Sequence, residues 1–141
     1  MAAIKEALFM RSDDKAKFLL RLTISFLMLF HGMAKLTHGV EWIKQPLAGV
    51  GMPLFFAYGV FFGEVLAPMC MILGFRTRLA ALVMAFNMLM AIILVWGSKV
   101  FAVNAAGGWA IELEVLFMLG AMVLFYSGGG KYAISKNSKW D

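Results

Sequence analysis

The sequence predicts an all-α integral membrane protein, built as a four-helix bundle. The 141 residues are 62% apolar, and their mean hydropathy of +0.84 is too high for an ordinary soluble domain of this size. Four segments approach the roughly 20 residues that a helix needs to cross a bilayer. No polar region is long enough to form a separate soluble domain, so residues 1–141 are expected to form a single membrane domain.

The stretch before the first apolar segment is short and amphipathic, with Ile4, Ala7 and Leu8 interleaved with Lys5 and Glu6. It lacks the long apolar core and the small-residue cleavage site of a signal peptide. We expect either a lead-in that lies on the membrane surface or a frayed end.

The four apolar segments are expected at about 18–36, 54–73, 79–96 and 109–126. The loop 37–53 is rich in turn-forming residues and has room for a short helix around Trp42. The loop 74–78 is a tight connection, and residues 98–108 contain Gly and Asn and are expected to be irregular.

The distribution of positive charge predicts that both termini are cytoplasmic. With that orientation, ten of the thirteen Lys and Arg residues lie inside and three lie outside, a clear positive-inside bias. The ten are Lys5, Arg11, Lys15, Lys17, Arg21, Arg76, Arg78, Lys131, Lys136 and Lys139, and the three are Lys35, Lys44 and Lys99. This pattern explains the net charge of +5 better than nucleic-acid binding does, so the expected partner is the lipid bilayer. Trp42, Trp96 and Trp109 would mark the outer interface.

The first helix carries a polar stripe. At 3.6 residues per turn, one face collects five residues, with His31 at its edge. The five are Arg21, Ser25, Met28, Gly32 and Lys35. Ionisable groups at membrane depth are costly and usually face protein or a wet cavity, so this stripe needs partners on other helices.

Glu64 is the strongest candidate for a partner of this polar stripe, since it falls near the middle of the second helix. It lies within a ladder of small residues that allows helices to approach closely: Gly59, Gly63 and Ala67. Pro68 has no amide hydrogen to close on the Glu64 carbonyl. Two interpretations stay open, namely a kinked packing helix with Glu64 neutralised by His31, Lys35 or a proton, and a binding or proton-handling group.

The third and fourth helices add further polar groups. Asn87 falls near the midplane and is interpreted either as a helix–helix hydrogen bonder or as a ligand-binding group. Glu112 and Glu114 are two residues apart, roughly 200° around a helix, so they cannot both face the bundle axis. One of them is expected to pair inward with Lys35 or His31.

The chain has no recognisable motif of a soluble enzyme. There is no phosphate-binding glycine loop, CxxC pair, paired-histidine spacing or nucleophile elbow. Cys70 is the only cysteine and lies in an apolar run, so no intramolecular disulfide forms. We expect no metal site and no cofactor that the chain holds by a motif of its own.

Several short motifs occur in an order that resembles the DoxX family of small four-helix membrane proteins. The matching pieces are Arg21, HGMAK at 31–35, GMP at 51–53, Glu64, LGFRTRLAAL at 73–82, Glu112, and the triplet 128–130 followed by Lys131-Tyr132. The resemblance implies a multi-pass protein of the inner (cytoplasmic) membrane. Relatives include a membrane subunit of thiosulfate:quinone oxidoreductase and members tied to oxidative-stress complexes. The family's polar positions correspond to Arg21, His31, Lys35, Glu64, Arg76, Arg78 and Glu112, of which Arg76 and Arg78 are interpreted as positive-inside anchors.

Two hypotheses about function follow. In the first, the chain is a membrane subunit of a redox complex, and His31, Lys35, Glu64 and Glu112 bind a quinone or a small sulfur metabolite or pass protons. Electrons would come from a partner subunit or a soluble substrate, and the chain could form a homo-oligomer. In the alternative, it is a non-enzymatic scaffold or assembly factor whose buried ion pairs only fix helix register. A transporter is a third interpretation, though four helices would require at least a dimer and no inverted repeat is evident.

Overall fold

The computed structural model describes residues 12–141, and the amphipathic lead-in lies outside the described residues. This part of the chain forms five helices: α1 (Asp13–His38), α2 (Glu41–Gly49), α3 (Leu54–Leu73), α4 (Thr77–Lys99) and α5 (Glu112–Ser127). Within residues 12–141 no β-strand forms, and one isolated antiparallel bridge joins Val103 to Trp109. The all-α prediction is confirmed, as is the short helix around Trp42.

Helices α1, α3 and α4 are long and apolar enough to cross a membrane, by length and composition. Helix α5 has 16 residues, fewer than the roughly 20 that a helix needs to cross a bilayer. The observed bounds lie close to the expected ones, and those of α3 coincide with them. Three of the four expected spans are therefore supported, while the fourth span and the orientation of the termini stay predictions.

Local signals fix both ends of α1. The Ser12 side chain accepts a hydrogen bond from the Lys15 amide, and Asp13 and Asp14 lie in the first turn, where the helix dipole favours negative charge. The helix ends at Gly39, whose φ of 82° is easily adopted only by glycine. The predicted stripe is buried, as its innermost members show: Arg21, Ser25, Met28 and Gly32.

The core lies between α1, α3, α4 and α5 and is made of methionine, alanine and leucine. Met71, Met84, Ala81, Ala121 and Leu124 have no exposed surface. Alanine on α4 and α5 allows these helices to pack closely, while the flexible methionine side chains fill the remaining gaps.

Residues 128–141, here called the tail, fold back over one end of the bundle. Arg21 is 1% exposed, and its guanidinium Nη1 and Nη2 donate to the carbonyls of Gly129 and Tyr132 at 2.8 and 3.1 Å. The Tyr132 ring also packs against Phe18, with 5.3 Å between ring centroids. A buried charge needs hydrogen-bond partners, and tail carbonyls supply them to Arg21.

The end of the tail caps α4. The carbonyl of Trp140 accepts hydrogen bonds from the amides of Arg78 and Leu79 at 3.0 and 3.3 Å, two of the amides that a helix start leaves unpaired. Asp141 accepts from the Ser135 hydroxyl and the Ser138 amide and pairs with Arg76 at 3.3 Å.

These contacts, the Ser135 hydroxyl first, hold the pKa of Asp141 below its ordinary value. The contacts of ionised Asp141 therefore stabilise the folded protein fully at pH values above the ordinary carboxyl pKa. This stabilisation is lost as the pH falls through the lowered pKa of Asp141.

We expect Arg21→Met to lower the free energy of unfolding by about 3 kcal/mol, because two tail carbonyls lose a charged donor in a buried site. Chemical unfolding in detergent measures this loss, and limited proteolysis reports release of the tail. Lys15→Met on the exposed side of α1 is the matched control. An Arg21→Met protein as stable and as protease-resistant as that control would contradict the assignment.

Candidate functional site

A buried ion pair joins α1 to α3, and an amide from α4 completes it. Lys35 Nζ lies 2.5 Å from Glu64 Oε2, and Asn87 Nδ2 donates to Glu64 Oε1 at 3.1 Å. Glu64 is 4% exposed, and the side chain of Lys35 is 14% exposed. Each carboxylate oxygen thus has one partner, which offsets the cost of burying its charge. These three residues are called the Glu64 triad.

The backbone of α3 departs from an α-helix at the triad. Residues Phe62–Leu66 form a π-helical turn, in which the Ala67 amide bonds to the Phe62 carbonyl. Pro68 follows, four residues after Glu64, and has no amide hydrogen for the Glu64 carbonyl. Single π turns recur at functional sites, and this one carries the site's carboxylate. The Glu64 carbonyl oxygen lies close to Gly32 of α1.

Two glycines allow the three helices to approach closely here. A Cβ on Gly32 would lie 2.3 Å from the Glu64 carbonyl oxygen, and one on Gly63 would lie 2.3 Å from the Asn87 Cβ. Gly63 and Ala67 of the predicted ladder are buried, whereas a Cβ on Gly59 would meet open space. Gly32 and Gly63 therefore set the helix separation that lets Lys35 and Asn87 reach the carboxylate.

The triad faces a cavity of about 560 Å³ that is lined by all five helices. This size falls in the range of sites for small organic ligands. Its walls are mainly apolar, with Met28, Phe56, Val60, Phe86 and Phe117 among them. The ionisable and amide side chains that line it are His31, Lys35, Glu64, Asn87 and Glu114.

A second polar group lies on the α5 wall of the cavity. Glu114 Oε1 accepts a hydrogen bond from the indole nitrogen of Trp96 at 2.9 Å, while its Oε2 is buried without a hydrogen-bond partner in residues 12–141. The His31 ring packs edge-on against Phe117, with 5.8 Å between centroids. Phe117 is one turn after Glu114, so His31 lies on the α5 side of the cavity.

The six candidates from the sequence do not all meet. His31, Lys35, Glu64 and Asn87 line the cavity. Glu112 is exposed, outside the cavity lining, and its carboxylate lies beside Gly108. Of the two glutamates, Glu114 faces inward.

Arg21 lies at the tail end of the bundle, where it binds backbone carbonyls of the tail and lines no part of the cavity.

Sequence reasoning missed two tryptophans of this site. Trp42 lines the cavity, and its ring lies 5.8 Å from Lys35 Nζ, close enough for a cation–π contact. Trp96 holds Glu114 in place. Both were interpreted as interface markers, and a tryptophan at a helix end gives no signal that separates these roles. Within residues 12–141 no group of three His, Cys, Asp or Glu side chains converges as a metal site.

Long apolar helices with an ion pair buried between them define a helical membrane protein with an internal polar centre. The family model of DoxX matches residues 16–97, which is more than half of the chain. The chain therefore belongs to the DoxX family, as its motifs suggested. No curated protein and no solved structure matches it. The matched segment contains the Glu64 triad and ends before α5, which supplies Glu114.

We expect Gly32→Ala to destabilise the protein by about 2 kcal/mol, because the added methyl group would overlap the Glu64 carbonyl and push α1 away from α3. The melting temperature in detergent measures the effect. Gly59→Ala on α3 is the matched control, since its methyl group meets no atom within 4 Å. Equal melting temperatures for the two variants would show that the close approach is not required.

Proposed function

We propose that this DoxX protein is the membrane subunit of a redox-related complex and that its cavity binds a quinone or a small sulfur metabolite, the quinone being favoured. The observation that carries the proposal is the Glu64 triad at the wall of an apolar cavity of about 560 Å³. Binding sites for small molecules commonly combine apolar walls with a few convergent polar groups. A quinone ring with its apolar tail fits this combination.

The triad offers hydrogen-bond donors to such a ligand. A lysine ammonium has three N–H donors and an asparagine amide has two, while Glu64 takes one from each. The remaining donors suit the carbonyl oxygens of a quinone, which only accept hydrogen bonds. Trp42, beside Lys35, provides an aromatic wall next to the charged group.

Reduction of a quinone to its quinol consumes two electrons and two protons. In this proposal the electrons come from a redox partner subunit that oxidises a reduced sulfur compound. Glu64 and His31 are the proton-exchanging groups in this proposal, because both line the cavity and carboxyl and imidazole groups are common general acids and bases. Lys35 donates a hydrogen bond to the quinone carbonyl oxygen on which negative charge develops during reduction.

The proposal also assigns the chain to the cytoplasmic membrane as a multi-pass protein with both termini inside. The excess of Lys and Arg on the predicted inner side supports this orientation. Large apolar side chains exposed on α1, such as Phe26 and Phe30, suit either lipid or a neighbouring copy in a homo-oligomer.

We expect the purified full chain to retain endogenous quinone and to melt at a higher temperature with a decyl-substituted benzoquinone. At a ligand concentration about 100 times the Kd, the stabilisation is about 2.7 kcal/mol. Glu64→Gln should lose most of the shift, whereas Glu112→Gln, which alters an exposed carboxyl, should keep it. Val60→Trp, which adds bulk to the cavity wall and leaves the three residues of the triad unchanged, should also lose it.

Two results would overturn the assignment. The first is a wild-type protein that carries no quinone and shows no shift. The second is a shift of equal size in the wild type, Glu64→Gln and Val60→Trp.

A second candidate function is a non-enzymatic scaffold, which the completeness of the ion pair favours. Both oxygens of Glu64 have protein partners, so the triad can hold helices together with no ligand. In that case Glu64→Gln and Lys35→Met would each cost about 3–5 kcal/mol of stability, and the double variant would recover much of it. Unfolding curves of the four proteins measure the coupling. Recovery of both stability and cellular function in the double variant would favour the scaffold, and recovery of stability alone would favour the binding site.

A further inference from the structure

Glu114 is a partly buried carboxyl with one oxygen left unused. The Trp96 indole occupies Oε1, and Oε2 is buried with no hydrogen-bond partner in residues 12–141. A buried acceptor without a partner has lost its hydrogen bonds to water with nothing in return, and this costs more when the acceptor is charged. The side chain lines the cavity, so a molecule in the cavity is the natural partner for this oxygen.

The two polar groups of the cavity have opposite hydrogen-bonding character. At the Glu64 triad, Lys35 and Asn87 hold unused N–H donors. On the α5 wall, Glu114 presents an unused acceptor, and no Lys or Arg in the described part of the chain forms an ion pair with it. Apart from these groups and His31, the walls are mainly apolar. A complementary ligand therefore has an acceptor at one end and a hydrogen-bond donor at the other.

We propose that Glu114 is a ligand-binding residue that accepts a hydrogen bond from a hydroxyl group, so that the cavity selects an apolar aromatic ring with hydroxyl groups at opposite ends. This inference rests on the proposed function and names the form of the ligand, namely the hydroquinone. One hydroquinone oxygen accepts from Lys35 or Asn87, and the opposite hydroxyl donates to Glu114. A quinone satisfies the triad but has no hydrogen to give to Glu114.

The chain offers a matched pair of variants for this proposal. In Glu114→Gln, the amide oxygen can keep the hydrogen bond from Trp96 while the NH₂ group takes the place of the unused acceptor. The variant then donates where the wild type accepts, which reverses the preference for a hydroxyl group. Glu112→Gln makes the same change of charge on the same helix, at an exposed carboxyl outside the cavity lining.

The test measures three ligands that share one decyl-substituted ring: the hydroquinone, the quinone and the dimethyl ether of the hydroquinone. Binding to the full chain in detergent is followed by isothermal calorimetry without oxygen. In the wild type and in Glu112→Gln, we expect the hydroquinone to bind about tenfold more tightly than the other two, the worth of one charge-assisted hydrogen bond. In Glu114→Gln the hydroquinone should lose this advantage while the quinone binds at least as tightly as in the wild type.

Each outcome of this binding experiment supports or overturns the assignment of Glu114. If the ligands bind and Glu114→Gln keeps the wild-type ratio of affinities, the assignment of Glu114 fails while the cavity remains a binding site. A wild type that prefers the quinone would also overturn it, because Glu114 would then not be accepting a hydrogen bond from the ligand. If none of the three ligands binds the wild type, the proposed function fails and this inference fails with it.

Discussion

The carboxylate of Glu64 lies in an apolar bundle, and its burial requires partners that no single helix provides. Lys35 comes from α1 and Asn87 from α4, so three helices must meet within hydrogen-bond distance of one side chain. That requirement explains the glycines at Gly32 and Gly63, since any larger residue would hold the helices too far apart. It also explains why a π turn at this level of α3 is tolerated, because the bonds to Glu64 hold the distorted backbone in place.

Arg21 and Glu64, the two charged residues buried among residues 12–141, differ in their surroundings. The guanidinium of Arg21 donates to two tail carbonyls, and its Nε is buried without a hydrogen-bond partner in these residues. Arg21 borders no part of the cavity, so a ligand in the cavity does not reach it. Glu64 faces the cavity, whose walls leave donors and an acceptor unused. Ligand chemistry is therefore possible where unused hydrogen-bonding groups border the cavity.

Much of this arrangement could be predicted from the sequence, and the missing part has a physical cause. The stripe on α1 and the mid-helix depth of Glu64 and Asn87 follow from periodicity and the rise per residue, and both agree with the contacts observed. The rotation of α5 could not be predicted because that helix is apolar on all sides, so no amphipathic pattern shows which face is inside. The tail contacts depend on backbone carbonyls, which carry no sequence signal.

The rotation of α5 decides which glutamate enters the cavity, and packing of the helix fixes it. Phe117, Ala121 and Leu124 are buried and follow one another at spacings of four and three residues. Extending that face one turn towards the start of the helix leads to Glu114 and leaves Glu112 on the exposed side. A substitution that rotated α5 by the angle between the two glutamates would therefore have to disrupt the packing of Phe117, Ala121 and Leu124. The acceptor of the cavity thus depends on core packing three to ten residues further along the chain, whereas its donors depend on the glycines between α1, α3 and α4.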